Sequence, residues 1–227
     1  MPIHAVIFDM DGLMVDTEPY YWEVARAMAA RRGRTVPDDV LRQMMGRSRL
    51  ESMEVFRQAL GLAESAESLL AERELAMLDR FARGVEPMPG LRELLDGLER
   101  RGVRRAVCTS SPAKFTDVLL PAIGVAGRFD VVQTGDGITR GKPDPEIYLR
   151  CLSRLGLAGP DAVVLEDTEA GCRAAHAAGC RVIAVPTHLT AGQDFSFCAA
   201  RVPSLHDAAG LLGRWLDEVQ GPTSGRQ

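Results

Sequence analysis

Four short stretches of the chain hold the residues best suited to chemistry: Asp9-Met10-Asp11-Gly12, Thr109-Ser110-Ser111, Lys142-Pro143-Asp144 and Glu166-Asp167. Carboxylates at i and i+2 leaving a strand project to the same side, so Asp9 and Asp11 repel one another unless a cation neutralises them. Glu166 and Asp167 deepen that need. A hard divalent ion with oxygen ligands answers it, and Mg²⁺, which takes one or two carboxylates with water and substrate phosphate, fits best. With phosphate as the substrate, Lys142 and the Thr109 hydroxyl have phosphoryl oxygens to hold. A calcium loop is the rival reading of the aspartate pair, but Leu13 stands at its fifth position and Tyr20 where the bidentate glutamate belongs. Thr109 could otherwise be a plain strand-end residue, Ser111 a helix cap before Pro112, and Glu166-Asp167 mere charges at a helix start.

The elements that must position these residues are legible as apolar runs. Ala5 to Phe8, Arg105 to Cys108, Phe129 to Gln133, Ala162 to Leu165 and Arg181 to Val185 read as buried parallel strands. Helical patterns follow them. Leu91, Leu94, Leu95 and Leu98 give a face that stops at Gly102; Val118, Leu119 and Ile123 stop at Gly124; Ile147, Leu149 and Leu152 stop near Gly156; Thr168 reads as an N-cap. Repeated strand–helix alternation predicts an α/β fold with an open, doubly wound parallel sheet, whose ligand site lies beyond the carboxyl ends of the strands.

Between the first strand and the rest lies a strand-free stretch. Helices are expected over Tyr20 to Arg32, from Pro37 to before Gly46, from the capping box Ser48-Arg49-Leu50-Glu51, and over Ser65 to Ala82 with Leu69, Leu70, Leu75, Met77, Leu78 and Phe81 as apolar positions. The predicted organisation is an α/β core over 1–16 and 86–219, an inserted all-α cap over 17–85, and a disordered tail over 220–227. The connections at Val15-Asp16-Thr17 and Val85 to Gly90 could hinge, which suits a lid. Asp16 is read as structural, either capping the first cap helix or joining the hinge.

The motifs Phe8-Asp9-Met10-Asp11-Gly12-Leu13-Met14-Val15-Asp16-Thr17-Glu18-Pro19, Val107 to Ser111, Gly141 to Pro145 and Leu165 to Gly171, in that order, carry a resemblance. The chain resembles the haloacid-dehalogenase-like superfamily, in the branch of small sugar phosphatases and β-phosphoglucomutase-like proteins, from about Ile3 to Val219. The resemblance implies an aspartyl-phosphate mechanism: Asp9 as nucleophile, Asp11 as general acid and then base, Thr109 and the Ser110 amide on the phosphoryl oxygens, and Lys142 neutralising charge shared with Asp9. It further implies Mg²⁺ held by Asp9, the Asp11 carbonyl and Asp167, with Glu166 as a further or water-mediated ligand. The cap supplies specificity in this family, which directs attention to Gly46, Arg47 and Arg49 at a turn between cap helices. Ser48 is explained by capping alone. Tyr21 stands where mutase-like members carry histidine, and Glu74 where a basic residue for a second phosphate is expected, so hydrolysis is favoured over mutase chemistry. The dehalogenase branch lacks the second aspartate that Asp11 supplies.

Composition bounds the remaining possibilities. With 46% hydrophobic and 26% charged residues over 227 positions, the chain can bury a sizeable core. A net charge of −4 opposes non-specific nucleic-acid binding, and the arginine clusters near Arg31 and Arg101 suit solvated helix ends. Five cysteines without a C-x-x-C pair suggest neither disulfides nor zinc, and His4, His176, His188 and His206 share no spacing. No run approaches the ~20 apolar residues of a membrane span, and no signal peptide is visible. The expectation is a soluble cytoplasmic monomer that hydrolyses a small phosphorylated metabolite, most simply a sugar phosphate, without nucleic-acid or membrane partners. The alternatives are β-phosphoglucomutase-like intramolecular phosphoryl transfer and a non-catalytic phosphate-binding protein.

Overall fold

β1 (Ala5–Phe8) is four apolar residues, all shielded from solvent, as expected of a strand covered on both faces. β2 (Arg104–Cys108) pairs parallel on one side of it and β4 (Ala162–Glu166) on the other. With β3 (Val131–Gln133), β5 (Arg181–Ala184) and β6 (Ala200–Arg201) the sheet runs β3-β2-β1-β4-β5-β6, every pairing parallel. The computed structural model describes residues 2–219; the tail expected over 220–227 lies outside the described residues.

Strand order reverses around β1: the chain steps outward through β2 and β3, then returns to β4 on the opposite side. A crevice opens at such a reversal, outside the carboxyl ends of the strands. The register sets Phe8 beside both Val107 and Leu165, so Asp9, Thr109 and Asp167 leave the sheet along one edge.

The helices of this unit are α5 (Leu91–Arg100), α6 (Ala113–Ala122), α7 (Glu146–Leu155), α8 (Glu169–Ala177) and α9 (Leu205–Val219). α5 buries Leu91, Leu94, Leu95 and Leu98, and α7 buries Ile147, Tyr148, Cys151, Leu152 and Leu155. α8 starts at Thr168, whose hydroxyl accepts from Gly171 N at 3.2 Å.

Two departures from the sequence expectation have physical causes. β3 begins at Val131 rather than Phe129, because Phe129 turns edge-on to Phe8 (5.9 Å between ring centroids) and Asp130 accepts from Arg105 N at 2.9 Å. β6 went unpredicted because two residues are too few to show an alternating pattern.

Residues divide into two compact units, Met1–Asp16 with Glu86–Gln227, and Thr17–Val85. The second contains only helices: α1 (Glu18–Ala30), α2 (Asp38–Met44), α3 (Arg49–Leu60) and α4 (Ala66–Ala82). Met28, Met53, Phe56, Met77 and Phe81 are its fully buried large residues. Both halves of the Ser48/Glu51 capping box form at the start of α3. The buried stripe of α4 is Ala66, Leu69, Arg73, Met77 and Phe81, while Leu75, expected on the apolar face, is 69% exposed. Arg73 takes the inward position by spanning to Ser52 Oγ (3.1 Å) and the Arg49 carbonyl (3.2 Å) and by lying over the Tyr21 ring. Among the described residues, no helix is long and apolar enough to cross a membrane.

Candidate active site

Asp9 directly follows β1 and is buried. Lys142, from the segment before α7, places its Nζ 2.6 Å from Asp9 Oδ1, 2.6 Å from Glu166 Oε1 and 3.3 Å from the Cys108 carbonyl. An ammonium has three donors, and these acceptors match them. The Tyr148 ring lies 5.1 Å beneath the same nitrogen. Carboxylates at and just before the start of α7 fasten the lysine's own loop: Glu146 accepts from Thr139 N and from Arg140 N (2.9 Å), and Asp144 accepts from Glu146 N (3.0 Å).

Asp11 stands on a tight turn after Asp9. Gly12 N donates to the Val15 carbonyl and Met14 N to the Met10 carbonyl, and Gly12 takes φ +82°, where a side chain is strained. A Cβ on Gly12 would also lie 2.2 Å from Asp167 Oδ2, so glycine is required twice over. Asp11 Oδ2 accepts from Thr109 Oγ1 at 3.1 Å and from Ser111 Oγ at 2.8 Å, while Ser111 N donates to Thr109 Oγ1. The two aspartates are therefore held by different partners, Asp9 by a cation and Asp11 by hydroxyls.

Oxygens of Asp9, Glu166 and Asp167 lie within 4.8 Å of one another, all three residues being buried. Burial, with Glu166 and Asp11 nearby, pushes the Asp9 carboxyl up to about 8 despite the opposing pull of Lys142. Burial, then the charges of Glu166 and Asp9, likewise push Asp167 well above the carboxylate range. Burial disfavours the charged Lys142, but Asp9 and Glu166 outweigh it and hold the ammonium well above its ordinary range. One ammonium cannot neutralise this many buried carboxylates. Asp167 Oδ1 is buried and accepts no hydrogen bond from the protein. An all-oxygen donor set with an orphaned carboxylate oxygen fits a hard divalent cation.

A model of the haloacid dehalogenase-like hydrolases matches residues 6–185. The chain belongs to that family. It is similar to the phosphorylated carbohydrates phosphatase of Thermotoga maritima, 36% identical over 177 residues, covering 78% of this chain and 82% of that protein. It is also similar to the crystal structure of CbbY from Rhodobacter sphaeroides in complex with phosphate, at 26% identity and TM-score 0.82, covering 90% of this chain and 96% of that one. A β-phosphoglucomutase structure from Clostridium difficile, at 20% identity and TM-score 0.78 over 97% of this chain and 100% of that one, shows the shared fold alone.

Within this haloacid dehalogenase-like hydrolase, Asp9, Asp11, Thr109, Lys142, Glu166 and Asp167 come together at one sheet edge. Ser110 is exposed beside them, and its carbonyl packs so closely on Gly135 that a Cβ there would sit 2.2 Å away. Gly46, Arg47 and Arg49 lie in the helical unit. Arg47 donates to the Gln43 carbonyl at 2.7 Å, and Arg49 pairs with Glu74 at 2.5 Å, so the acidic residue that looked out of place for a second phosphate is an ion-pair partner. Glu166, besides belonging to the carboxylate cluster, is heavily hydrogen-bonded: Oε1 accepts from Lys142 and Tyr148, and Oε2 from Asp167 N, Thr168 N and Thr168 Oγ1. Sequence reasoning left Ser111 between cap and function, and it missed Tyr148. The signal for Tyr148 was available, since it lies in the first turn of the helix that begins four residues after Lys142.

Proposed function

We propose that the phosphomonoester hydrolysis of this family takes the form, in this chain, of a Mg²⁺-dependent phosphatase acting on small phosphorylated carbohydrates through an aspartyl-phosphate on Asp9. The observation that carries the reading is the separation of duties between two neighbouring aspartates. Asp9 is bound by Lys142 at 2.6 Å, which suits an anionic nucleophile, and Asp11 accepts from the Thr109 and Ser111 hydroxyls at 3.1 and 2.8 Å, which suits a group that gains and loses a proton.

An Asp9 carboxylate oxygen attacks phosphorus; the Asp9 O–P bond forms as the ester P–O bond breaks, and the leaving oxygen takes the proton of Asp11. The Asp11 carboxylate then accepts a proton from water, whose oxygen attacks phosphorus and breaks the Asp9 O–P bond, releasing inorganic phosphate. Thr109 Oγ1 and the Ser110 amide hold phosphoryl oxygens, and Lys142 offsets the charge that Asp9 and the phosphoryl group share. Asp9, Asp167 and the Asp11 carbonyl would hold Mg²⁺, which supplies the positive charge that lets an anionic ester approach an anionic carboxylate. Glu166 serves this set chiefly by fixing Lys142. Gly46, Arg47 and Arg49 are the residues proposed to select among substrates, as part of a helical cap over 17–85. The carbohydrate class rests on the relative from Thermotoga maritima.

Phosphate release from a panel of sugar phosphates and other phosphomonoesters, with Mg²⁺ and then with chelator, tests the reading. Mg²⁺-dependent release that favours some sugar phosphates is expected. Release undiminished by chelator would overturn the metal requirement; isomerisation without release, in the presence of a sugar bisphosphate, would replace hydrolysis with mutase chemistry.

A further inference from the structure

Tyr148 is fully buried, and its hydroxyl meets the last residue of β4. It donates to Glu166 Oε1 at 2.8 Å, the same oxygen that accepts from Lys142 Nζ at 2.6 Å. Its ring face lies 5.1 Å from that nitrogen. One side chain thus touches the lysine directly through its π-face and indirectly through the carboxylate that aims it.

The other side of Glu166 is equally constrained. A Cβ at Gly171, on the first turn of α8, would fall 1.8 Å from Glu166 Oε1 and 2.2 Å from Oε2. Gly171 has ordinary helical backbone and no positive φ, so the absence of a side chain there serves space alone. The Glu166 carboxylate is therefore clamped between a hydroxyl donor and a bare helix face, with Lys142 as its remaining contact toward the site.

We propose that Tyr148 is a positioning residue for phosphoryl transfer, acting through Glu166 to hold Lys142 Nζ on Asp9. The inference rests on the phosphatase reading above. Without the hydroxyl, Glu166 Oε2 stays anchored by Asp167 N, Thr168 N and Thr168 Oγ1, but Oε1 keeps Lys142 alone and can shift about that anchor, taking the ammonium away from Asp9 Oδ1. The charge on Lys142 matters most when the phosphoryl group is in transit, so the loss falls on turnover and leaves ground-state binding nearly intact.

Tyr148→Phe keeps the ring and removes only the hydroxyl. With Mg²⁺ and the best substrate from the panel, kcat is expected to fall about tenfold while KM stays within about a factor of two. Gly171→Ala is the second variant; its Cβ has to displace the Glu166 carboxylate, so a kcat loss like that of Tyr148→Phe is expected, and a folded Gly171→Ala protein with wild-type kcat would overturn the proposal. Tyr148→Phe with wild-type kcat, or with the change confined to KM or to melting temperature, would overturn the proposal while leaving the phosphatase reading in place. A wild-type protein that releases phosphate from no ester would remove that reading and this proposal together.

Discussion

Replacing Lys142 by methionine removes the cation from a site that is nearly dry. The lysine side chain is 10% exposed, Asp9 8% and Glu166 1%, and both carboxylates sit 2.6 Å from Nζ. Removing one partner of a buried ion pair costs about 3–5 kcal/mol, because the remaining charges are left uncompensated. Burial raises the Asp9 carboxyl to about 8, so without metal it is largely protonated at neutral pH and part of that cost is already relieved. The lower end, about 3 kcal/mol, is therefore expected in chelator, and at roughly 2–4 °C per kcal/mol for a chain of this size the melting temperature should fall by about 6–12 °C. The penalty should stay near this lower end below about pH 7, where Asp9 is protonated, and grow as pH rises through about 8 to 9. Adding Glu166→Gln to Lys142→Met should recover part of the loss, a non-additivity readable from a double-mutant cycle. Thermal denaturation of the four proteins in chelator gives the answer. A Lys142→Met protein that melts within about 2 °C of wild type, or loses the same amount at every pH, would refute the claim that Lys142 is the main counter-charge of this cluster.

The metal-free protein should itself lose stability as pH rises. Asp9, raised from 3.8 to about 8, and Asp167, also raised, hold protons in the folded state that the unfolded chain has released, so the loss spans the interval between those values. Carboxylates held low by surface partners, such as Glu54 at about 2 beside Arg57 and Gln58, contribute below that interval and do not cancel the slope. Melts in chelator should fall between about pH 5 and about pH 8, and the rise on adding Mg²⁺ should be larger at the higher pH; a pH-independent Mg²⁺ effect would count against the carboxylate cluster as its site. Ser111→Ala removes the shorter of the two hydroxyl bonds to Asp11 and should lower kcat by about three- to tenfold, with Ser111→Thr restoring most of it; equal rates for alanine and wild type would remove Ser111 from the reaction.

Much of the core was legible because it is built from local rules. Ala5 to Phe8 announces a strand buried on both faces, and the residues that follow each central strand were bound to converge at one edge once the parallel order was inferred. Ser48 with Glu51, and Thr168, announce helix starts by the hydrogen bonds they can make. What escaped depends on distant partners. Arg73 faces inward because Ser52 and the Arg49 carbonyl, more than twenty positions away, receive its donors. Glu166 reads as a metal ligand from its motif, but its burial against Tyr148, Lys142 and Gly171 is a product of packing between α7, α8 and the sheet. The pairing of Arg49 with Glu74, on the neighbouring helix, likewise joins positions twenty-five apart and leaves no local signal.

The central claim is that the phosphoryl group passes through Asp9. Rapid acid quenching of wild type during turnover with Mg²⁺ and the best substrate, followed by peptide mass analysis, tests it directly, with Asp9→Asn treated in parallel. The account predicts one phosphoryl group on the peptide containing Asp9 in wild type, and neither that adduct nor multiple turnover in Asp9→Asn. Continued turnover by Asp9→Asn, or a phosphoryl group trapped on another residue, would contradict it.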